Sequence, residues 1–73
     1  MEEKILEILK ETLELERVDE ACSQQTCPAW DSMGQLNIVA ELEEAFGIEL
    51  EPEEIASMHS YNDIVALLKG KGV

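Results

Sequence analysis

The sequence predicts an all-α fold, a four-helix bundle of three longer helices and one short helix. Apolar residues recur through most of the chain at the three- and four-residue spacing of an amphipathic helix. Residues that begin or end helices separate these segments, and no alternating strand pattern competes with them. The chain has 73 residues and no internal repeat, so we expect a single domain spanning residues 1–73.

The first predicted helix covers residues 3 to 16, where isoleucine and leucine residues share one face and Glu and Lys lie between them. The apolar pattern stops from Asp19 to Trp30, a segment rich in Ser, Gln, Thr and Pro, which favour irregular structure. Long ordered loops of this kind are often held by a few side chains. We expect Trp30 and Val18 to anchor this one.

Asp31 begins the second helix, because its carboxylate can accept hydrogen bonds from the free amides of the first turn. Gly47 ends it, since glycine readily adopts the positive φ of a helix end. The spacing between them predicts an apolar face on this helix. Its members are Met33, Leu36, Ile38, Val39, Ala40, Leu42 and Phe46. A short extended link, residues 48–51, connects this helix to the next.

Pro52 suits the first position of the short third helix, where its missing N–H removes no hydrogen bond. Ser60 and Asp63 have the spacing of a capping box and predict a last helix from Tyr61 to Lys69. We expect Gly70 to end this helix and the final three residues to fray. The predicted interior includes Leu9, Val39, Phe46, Ile55, Ile64 and Leu68.

The charge is strongly acidic, with 17 Asp and Glu against 5 Lys and Arg and a formal net charge of -12. Such a surface repels nucleic acid and anionic lipid headgroups and favours basic protein surfaces as partners. No apolar stretch reaches the roughly 20 residues of a membrane span. The first residues lack the cationic start and apolar centre of a secretion signal. We therefore expect a cytoplasmic monomer that neither inserts into membranes nor binds nucleic acid.

Cys22 and Cys27 have four residues between them, and in a reducing compartment we expect free thiols, one of them partly packed. A zinc site would need two more ligands, and only the distant His59 is available, so no metal site is predicted. We expect His59 to be a solvent-facing link residue. Nothing in the sequence would orient it as a base beside Ser32, which argues against a serine hydrolase.

The residues that indicate chemistry are Asp31, Ser32 and Met33 at the start of the second helix. Ser32 directly follows the capping acid, so its hydroxyl lies near free amides and the positive end of the helix dipole. A phosphate ester is favoured at such a position. The alternative is that Ser32 has only a structural role as part of a helix cap.

This motif and the residues after it resemble the acyl carrier proteins, a group that includes peptidyl and aminoacyl carrier domains. The resemblance covers nearly the whole chain in length and helix order, and it implies an acyl-carrier-like four-helix bundle. It is sharpest in Trp30-Asp31-Ser32-Met33, Leu36, Glu43-Glu44, Phe46-Gly47-Ile48-Glu49-Leu50 and Pro52-Glu53-Glu54.

The resemblance implies that Ser32, flanked by Asp31 and Met33, receives 4′-phosphopantetheine from coenzyme A as a phosphodiester. A separate Mg²⁺-dependent phosphopantetheinyl transferase would perform that step. Acyl groups would then be carried as thioesters on the thiol of the arm. The chain would be a carrier and not an enzyme.

The resemblance also implies a docking face for the enzymes that load and transfer acyl groups through basic patches. Its predicted residues are Met33, Leu36, Ala40, Glu43 and Glu44, with Glu49 nearby. Exposed ion pairs contribute only about 0–1 kcal/mol each, which suits a carrier that must leave each partner quickly. The alternative for the two adjacent glutamates is an ordinary solvated face.

Three positions depart from carriers of bacterial fatty-acid synthesis. Gly34 and Asn37 stand where those carriers usually have acids, and Met33 replaces the commoner leucine. These differences predict a specialised polyketide, peptide or modified-acyl pathway instead of housekeeping fatty-acid synthesis. Two alternatives remain, which are a peptidyl or aminoacyl carrier and an acidic helical interaction module without a prosthetic group.

Overall fold

Four α-helices succeed one another in the computed structural model, which describes residues 1–73. They are α1 (Glu2–Thr12), α2 (Ser32–Phe46), α3 (Pro52–Ala56) and α4 (Tyr61–Gly70). The predicted all-α architecture is therefore confirmed, with α3 as the short helix. No strand forms, and one isolated antiparallel bridge pairs Ser23 with Ser60.

A single apolar core of 15 residues lies between the helices, and α1 packs against both α2 and α4. The largest side chains that are fully buried are Ile5, Leu9, Ile38, Leu42, Met58, Ile64 and Leu68. Among the predicted interior residues, Phe46 and Ile55 are only partly buried at the edge of this core. None of the helices has the length and apolar composition needed to cross a membrane.

The first helix ends at Thr12, so the prediction that it extends to residue 16 is wrong. Glu14 adopts a φ of 53°, which is the left-handed conformation common just after a helix. The Leu15 amide donates to the Lys10 carbonyl at 2.9 Å and caps the C-terminal end of the helix. Glycine or asparagine usually occupies such a position, so a glutamate here carries no stop signal. The turn reverses the chain while Leu13 stays buried.

The second helix buries only part of the predicted apolar face. Its buried residues are Gly34, Ile38, Val39 and Leu42. Met33 is 70 % exposed and Leu36 62 % exposed, and Ala40 is exposed as well. These three positions recur at three- and four-residue spacing on the side away from the core. Met33, Leu36 and Ala40 are therefore the exposed part of the predicted apolar face.

The predicted starts of the last two helices are confirmed, because each depends on hydrogen bonds within a few residues. The Glu51 amide donates to Glu54 Oε1 at 2.8 Å at the start of α3. At the start of α4 the Asp63 amide donates to Ser60 Oγ at 3.1 Å. The Asp63 carboxylate accepts from the His59 amide at 2.9 Å, one residue earlier than in a regular capping box.

The C-terminus is hydrogen-bonded, which corrects the expectation that it frays. The last helix continues through Gly70, and Gly72, with φ of 78°, supplies the left-handed residue that ends it. The Val73 amide donates to the Leu68 carbonyl at 3.2 Å. Lys71 Nζ lies 2.9 Å from Glu54 Oε1. The Glu51 amide, and then Lys71, lower the pKa of the Glu54 carboxyl, so it stays ionised.

Gly34 marks a close approach between the α1–α2 loop and α2. A Cβ at this position would collide with the Ala29 carbonyl oxygen and lie 3.2 Å from Leu13 Cδ2. The loop backbone cannot move away freely, because Trp30 beside it is buried. Glycine is therefore required here by packing, and an acid of the kind found in fatty-acid carriers would not fit.

We expect Gly34→Ala to lower the free energy of unfolding by about 1–3 kcal/mol, because the added methyl group overpacks the loop. Gly70→Ala is the matched control, since no atom lies within 4 Å of a Cβ at that position. The control should leave the stability unchanged or raise it by up to about 1 kcal/mol. Urea unfolding followed by circular dichroism measures both. Equal stability of the two variants would contradict the packing argument.

Candidate functional site

Ser32 is the first residue of α2 and is exposed, and its hydroxyl makes no hydrogen bond to another residue of the chain. Asp31 caps the helix as predicted, with Oδ1 accepting from the Gly34 amide at 2.9 Å. The amides of Ser32 and Met33 precede the first helical hydrogen bonds and have no helical carbonyl to reach. The first turn contains no acidic residue. The hydroxyl therefore lies at a positively polarised helix end that a negative group would stabilise.

Trp30 anchors the loop directly before this serine, as predicted. Its side chain is 2 % exposed, and its indole Nε1 donates to Gln35 Oε1 at 2.6 Å. Val18, the other predicted anchor, packs against the core while partly exposed. The buried indole fixes the backbone on the N-terminal side of Ser32.

Gln35 is a residue that sequence reasoning missed. Its Nε2 donates to the Ile55 carbonyl at 2.7 Å and to the Met58 carbonyl at 3.0 Å. These bonds define the orientation of the amide, because its oxygen must face the indole N–H and its nitrogen the two carbonyls. The buried N–H of Trp30 was the available signal, since such a group needs an acceptor. Gln35 joins the start of α2 to the end of α3.

The loop before Ser32 is also bonded to the connection between α3 and α4. The Tyr61 amide donates to the Cys22 carbonyl at 2.8 Å, and the Gln24 amide donates to the His59 carbonyl at 2.9 Å. These bonds surround the isolated bridge between Ser23 and Ser60. The α1–α2 loop is thus hydrogen-bonded at its middle to the α3–α4 connection, and the Trp30 indole holds its C-terminal end.

A surface groove of about 600 Å³ lies beside Ser32, between the loop, the start of α2 and α3. Apolar and polar side chains share its walls, which include Trp30, Ser32, Gln35, Leu36, Ile55 and His59. A groove of this size and mixed character can accommodate an extended, partly polar chain.

His59 is exposed, as expected for a link residue, but the structure also places it in the wall of the groove that holds Ser32. Its Nδ1 lies 2.9 Å from Gln24 Oε1, so the glutamine orients the ring. Sequence reasoning found no partner for this histidine because Gln24 is 35 residues away along the chain. The Ser32 hydroxyl makes no hydrogen bond to the imidazole.

The residues predicted for partner docking do not all lie together. Met33, Leu36, Ala40 and Glu44 are exposed on the side of α2 that faces solvent, and Glu49 is exposed on the link after the helix. Glu43 is half-buried, and its Oε2 accepts from the Leu50 amide at 2.8 Å. Glu43 therefore stabilises the turn after α2.

Cys22 and Cys27 are both buried free thiols, so the expectation that only one of them is partly packed is wrong. They line a pocket different from the groove beside Ser32. No group of three or more His, Cys, Asp or Glu residues comes together in a way that could hold a metal ion.

Residues 30–68 match a protein-family model described as the phosphopantetheine attachment site. This range is slightly more than half of the chain. It begins at Trp30 and includes Ser32, Gln35 and the α2 and α3 walls of the groove. No curated protein matches the chain.

We expect Gln35→Met to lower the free energy of unfolding by about 1–3 kcal/mol, because the indole N–H and two carbonyls lose a partner that methionine cannot replace. Gln25→Met is the control, since Gln25 is exposed and its side chain makes no hydrogen bond. Urea unfolding and the emission wavelength of Trp30 measure the effect. If both variants matched the parent chain in stability and emission, Gln35 would not have this role.

Proposed function

The chain belongs to the phosphopantetheine attachment-site family, whose members carry covalent 4′-phosphopantetheine, and from this we propose that it is an acyl carrier protein with the arm on Ser32. The observation that carries the proposal is the position of this serine. Its exposed hydroxyl is at the first residue of α2, inside the matched range and beside a groove. We propose that residues 1–73 form one carrier domain.

The residues around Ser32 fit the group. The primary hydroxyl has no internal partner and is open to a transferase that delivers a phosphodiester from coenzyme A. The helix end favours the phosphate, because the amides of Ser32 and Met33 have no partner within the helix, whereas the Gly34 amide already donates to Asp31 Oδ1. The groove offers apolar contact at Leu36 and Ile55 to a chain that starts from Ser32.

Carrier domains of this family act with a phosphopantetheinyl transferase and partner enzymes and are typically non-catalytic. When bound, the arm supplies a thiol that holds acyl groups as thioesters. We propose that this chain contributes presentation only, as a cytoplasmic monomer. The lack of a hydrogen-bonded base at the Ser32 hydroxyl supports a passive role for this residue in the carrier itself.

We propose that partners dock on the exposed side of α2. Met33 and Leu36 are unusually exposed for large apolar residues, and together with Ala40 they form a continuous apolar strip that starts next to Ser32. Glu44 continues this face, and Glu49 lies just beyond the helix. A small apolar centre with acidic surroundings fits a partner with an apolar contact point inside a basic patch. Glu43 is better assigned to the Leu50 amide than to docking.

The proposal of a specialised pathway now depends mainly on Asn37. Gly34 lacks an acid because the loop at Ala29 leaves no room for a side chain, so its identity has a packing reason independent of recognition. Asn37 is exposed on α2, and an acid would fit there. Its neutral side chain supports recognition by enzymes other than those of housekeeping fatty-acid synthesis. The loading enzyme decides between acyl and aminoacyl cargo.

Incubation with coenzyme A, Mg²⁺ and a permissive phosphopantetheinyl transferase should raise the intact mass by one phosphopantetheinyl unit. Ser32→Ala should show no gain, because the acceptor oxygen is absent. Ser57→Ala should be modified like the parent chain, since Ser57 is an exposed serine at the end of α3. Mass spectrometry measures all three. No gain in the parent chain would contradict the proposal and favour an interaction module without a prosthetic group. An equal gain in Ser32→Ala would contradict the assignment of the arm to Ser32.

Glu44→Lys should slow modification by the transferase, with kcat/KM falling by a factor on the order of 3–10 at low salt, because an attractive charge becomes repulsive. The effect should shrink at about 0.3 M salt, where the Debye length is only several ångströms. Glu7→Lys makes the same charge change on the exposed side of α1 and should have a smaller effect. Equal effects of both variants, or no dependence on salt, would contradict docking on α2.

A further inference from the structure

The thiols of Cys22 and Cys27 touch in the interior of the α1–α2 loop. Their Sγ atoms are 3.0 Å apart, and the residues are 4 % and 8 % exposed. A disulfide bond is about 2.04 Å long, so the sulfurs need to approach by only about 1 Å to bond. We propose that these cysteines are a reversible disulfide site and that the bond locks the loop in its present shape.

The loop backbone brings the two cysteines together. The Cys27 amide donates to the Ser23 carbonyl at 2.9 Å, and the Ser23 amide donates to Thr26 Oγ1 at 3.0 Å. These bonds close a tight turn over the residues between the thiols. The disulfide would therefore add a covalent bond to a turn that already holds the two sulfurs 3.0 Å apart.

The same two residues also hold the loop in place. The Cys22 carbonyl accepts from the Tyr61 amide at the start of α4, at 2.8 Å. The Cys27 carbonyl accepts from the Trp30 amide at 2.9 Å. A bond between the cysteines would link these two attachment points, one at the start of α4 and one at Trp30, two residues before Ser32. Oxidation would thus rigidify the segment that leads into α2.

Both cysteines line a surface pocket of about 300 Å³, which is the side from which an oxidant would approach them. Besides both cysteines it is lined by Arg17, Val18, Asp19, Ala21 and Thr26. Burial, followed by the contact with Cys27, raises the pKa of the Cys22 thiol to about 12. Because the thiolate is the attacking species, exchange at neutral pH should be slow. This suits a stabilising bond more than a catalytic redox pair.

The oxidant is a small-molecule disulfide of the glutathione type. The thiolate of one cysteine attacks one of its sulfurs, which forms a mixed disulfide and releases one thiolate. The second cysteine, also as thiolate, attacks the mixed disulfide and displaces the other. The cysteines lose two protons and two electrons, and the oxidant gains them as two thiols.

The test uses the full chain with Ser32→Ala, which contains no arm thiol, so its result is independent of the proposed function. After equilibration with oxidised glutathione, the chain is unfolded and alkylated with iodoacetamide. We expect an intact mass lower by two hydrogens, no alkylation and no glutathione adduct, whereas the reduced chain is alkylated twice. Additional Cys22→Ser or Cys27→Ser should abolish the loss of two hydrogens.

The melting temperature tests whether the bond locks the native loop. The oxidised chain should melt roughly 5–15 °C above the reduced chain, and added dithiothreitol should reverse the difference. A persistent glutathione adduct, a disulfide-linked dimer or a chain that stays reduced would overturn the proposal. An intrachain disulfide that left the melting temperature unchanged or lower would overturn it as well, because the bond would then not match the native loop.

Discussion

The hydrogen bonds of the Gln35 side chain hold together the part of the molecule that presents Ser32. One amide accepts from Trp30 and donates to two carbonyls at the end of α3. A second hydrogen bond, from the Gly34 amide to the Asp31 carboxylate, joins two residues that lie between Trp30 and Gln35 in the sequence. These nested bonds enclose Ser32 and Met33. Consequently the serine is exposed while the backbone on both sides of it is fixed.

This arrangement suits a residue that another protein must find and modify. A rigid backbone lowers the conformational entropy lost when a partner binds, and an exposed hydroxyl needs no rearrangement to be reached. The loop contributes as much as the helix, because the indole of Trp30 and the amides that bond to the α3–α4 connection keep it against the bundle. Cys22 and Cys27 lie in this same loop. Their oxidation state would therefore change the rigidity of the loop that leads to Ser32 and not the serine itself.

The charged residues contribute little to the stability of the fold, and most of them remain available for recognition by partners. The core contains no buried polar or charged residue, so the 17 acids lie at or near the surface. Only two ion pairs form, and the shorter one, between Lys71 and Glu54, holds the C-terminus against α3. Most acids are therefore uncompensated and repel one another, which opposes compaction. The same unpaired charge is what a basic partner surface would recognise.

Local sequence patterns were enough to predict the all-α class, the starts of three helices at Asp31, Pro52 and Ser60, and the position of the serine motif. These features depend on hydrogen bonds and dihedral preferences within three or four residues, so local spacing contains them. The same patterns misplaced two helix ends, because Glu14 adopts a positive φ that its residue type does not signal and because Gly72 was available beyond Gly70.

The packing of the whole chain, in contrast, selects which apolar residues are buried and which partners the polar ones find. Met33 and Leu36 face solvent because α2 packs against α1 and the core through Ile38, Val39 and Leu42. Gln35 reaches carbonyls 20 and 23 residues away, and Gly34 is required by a loop that folds back over it. Such contacts depend on how helices and loops pack against one another, and the local pattern of a sequence does not specify that packing.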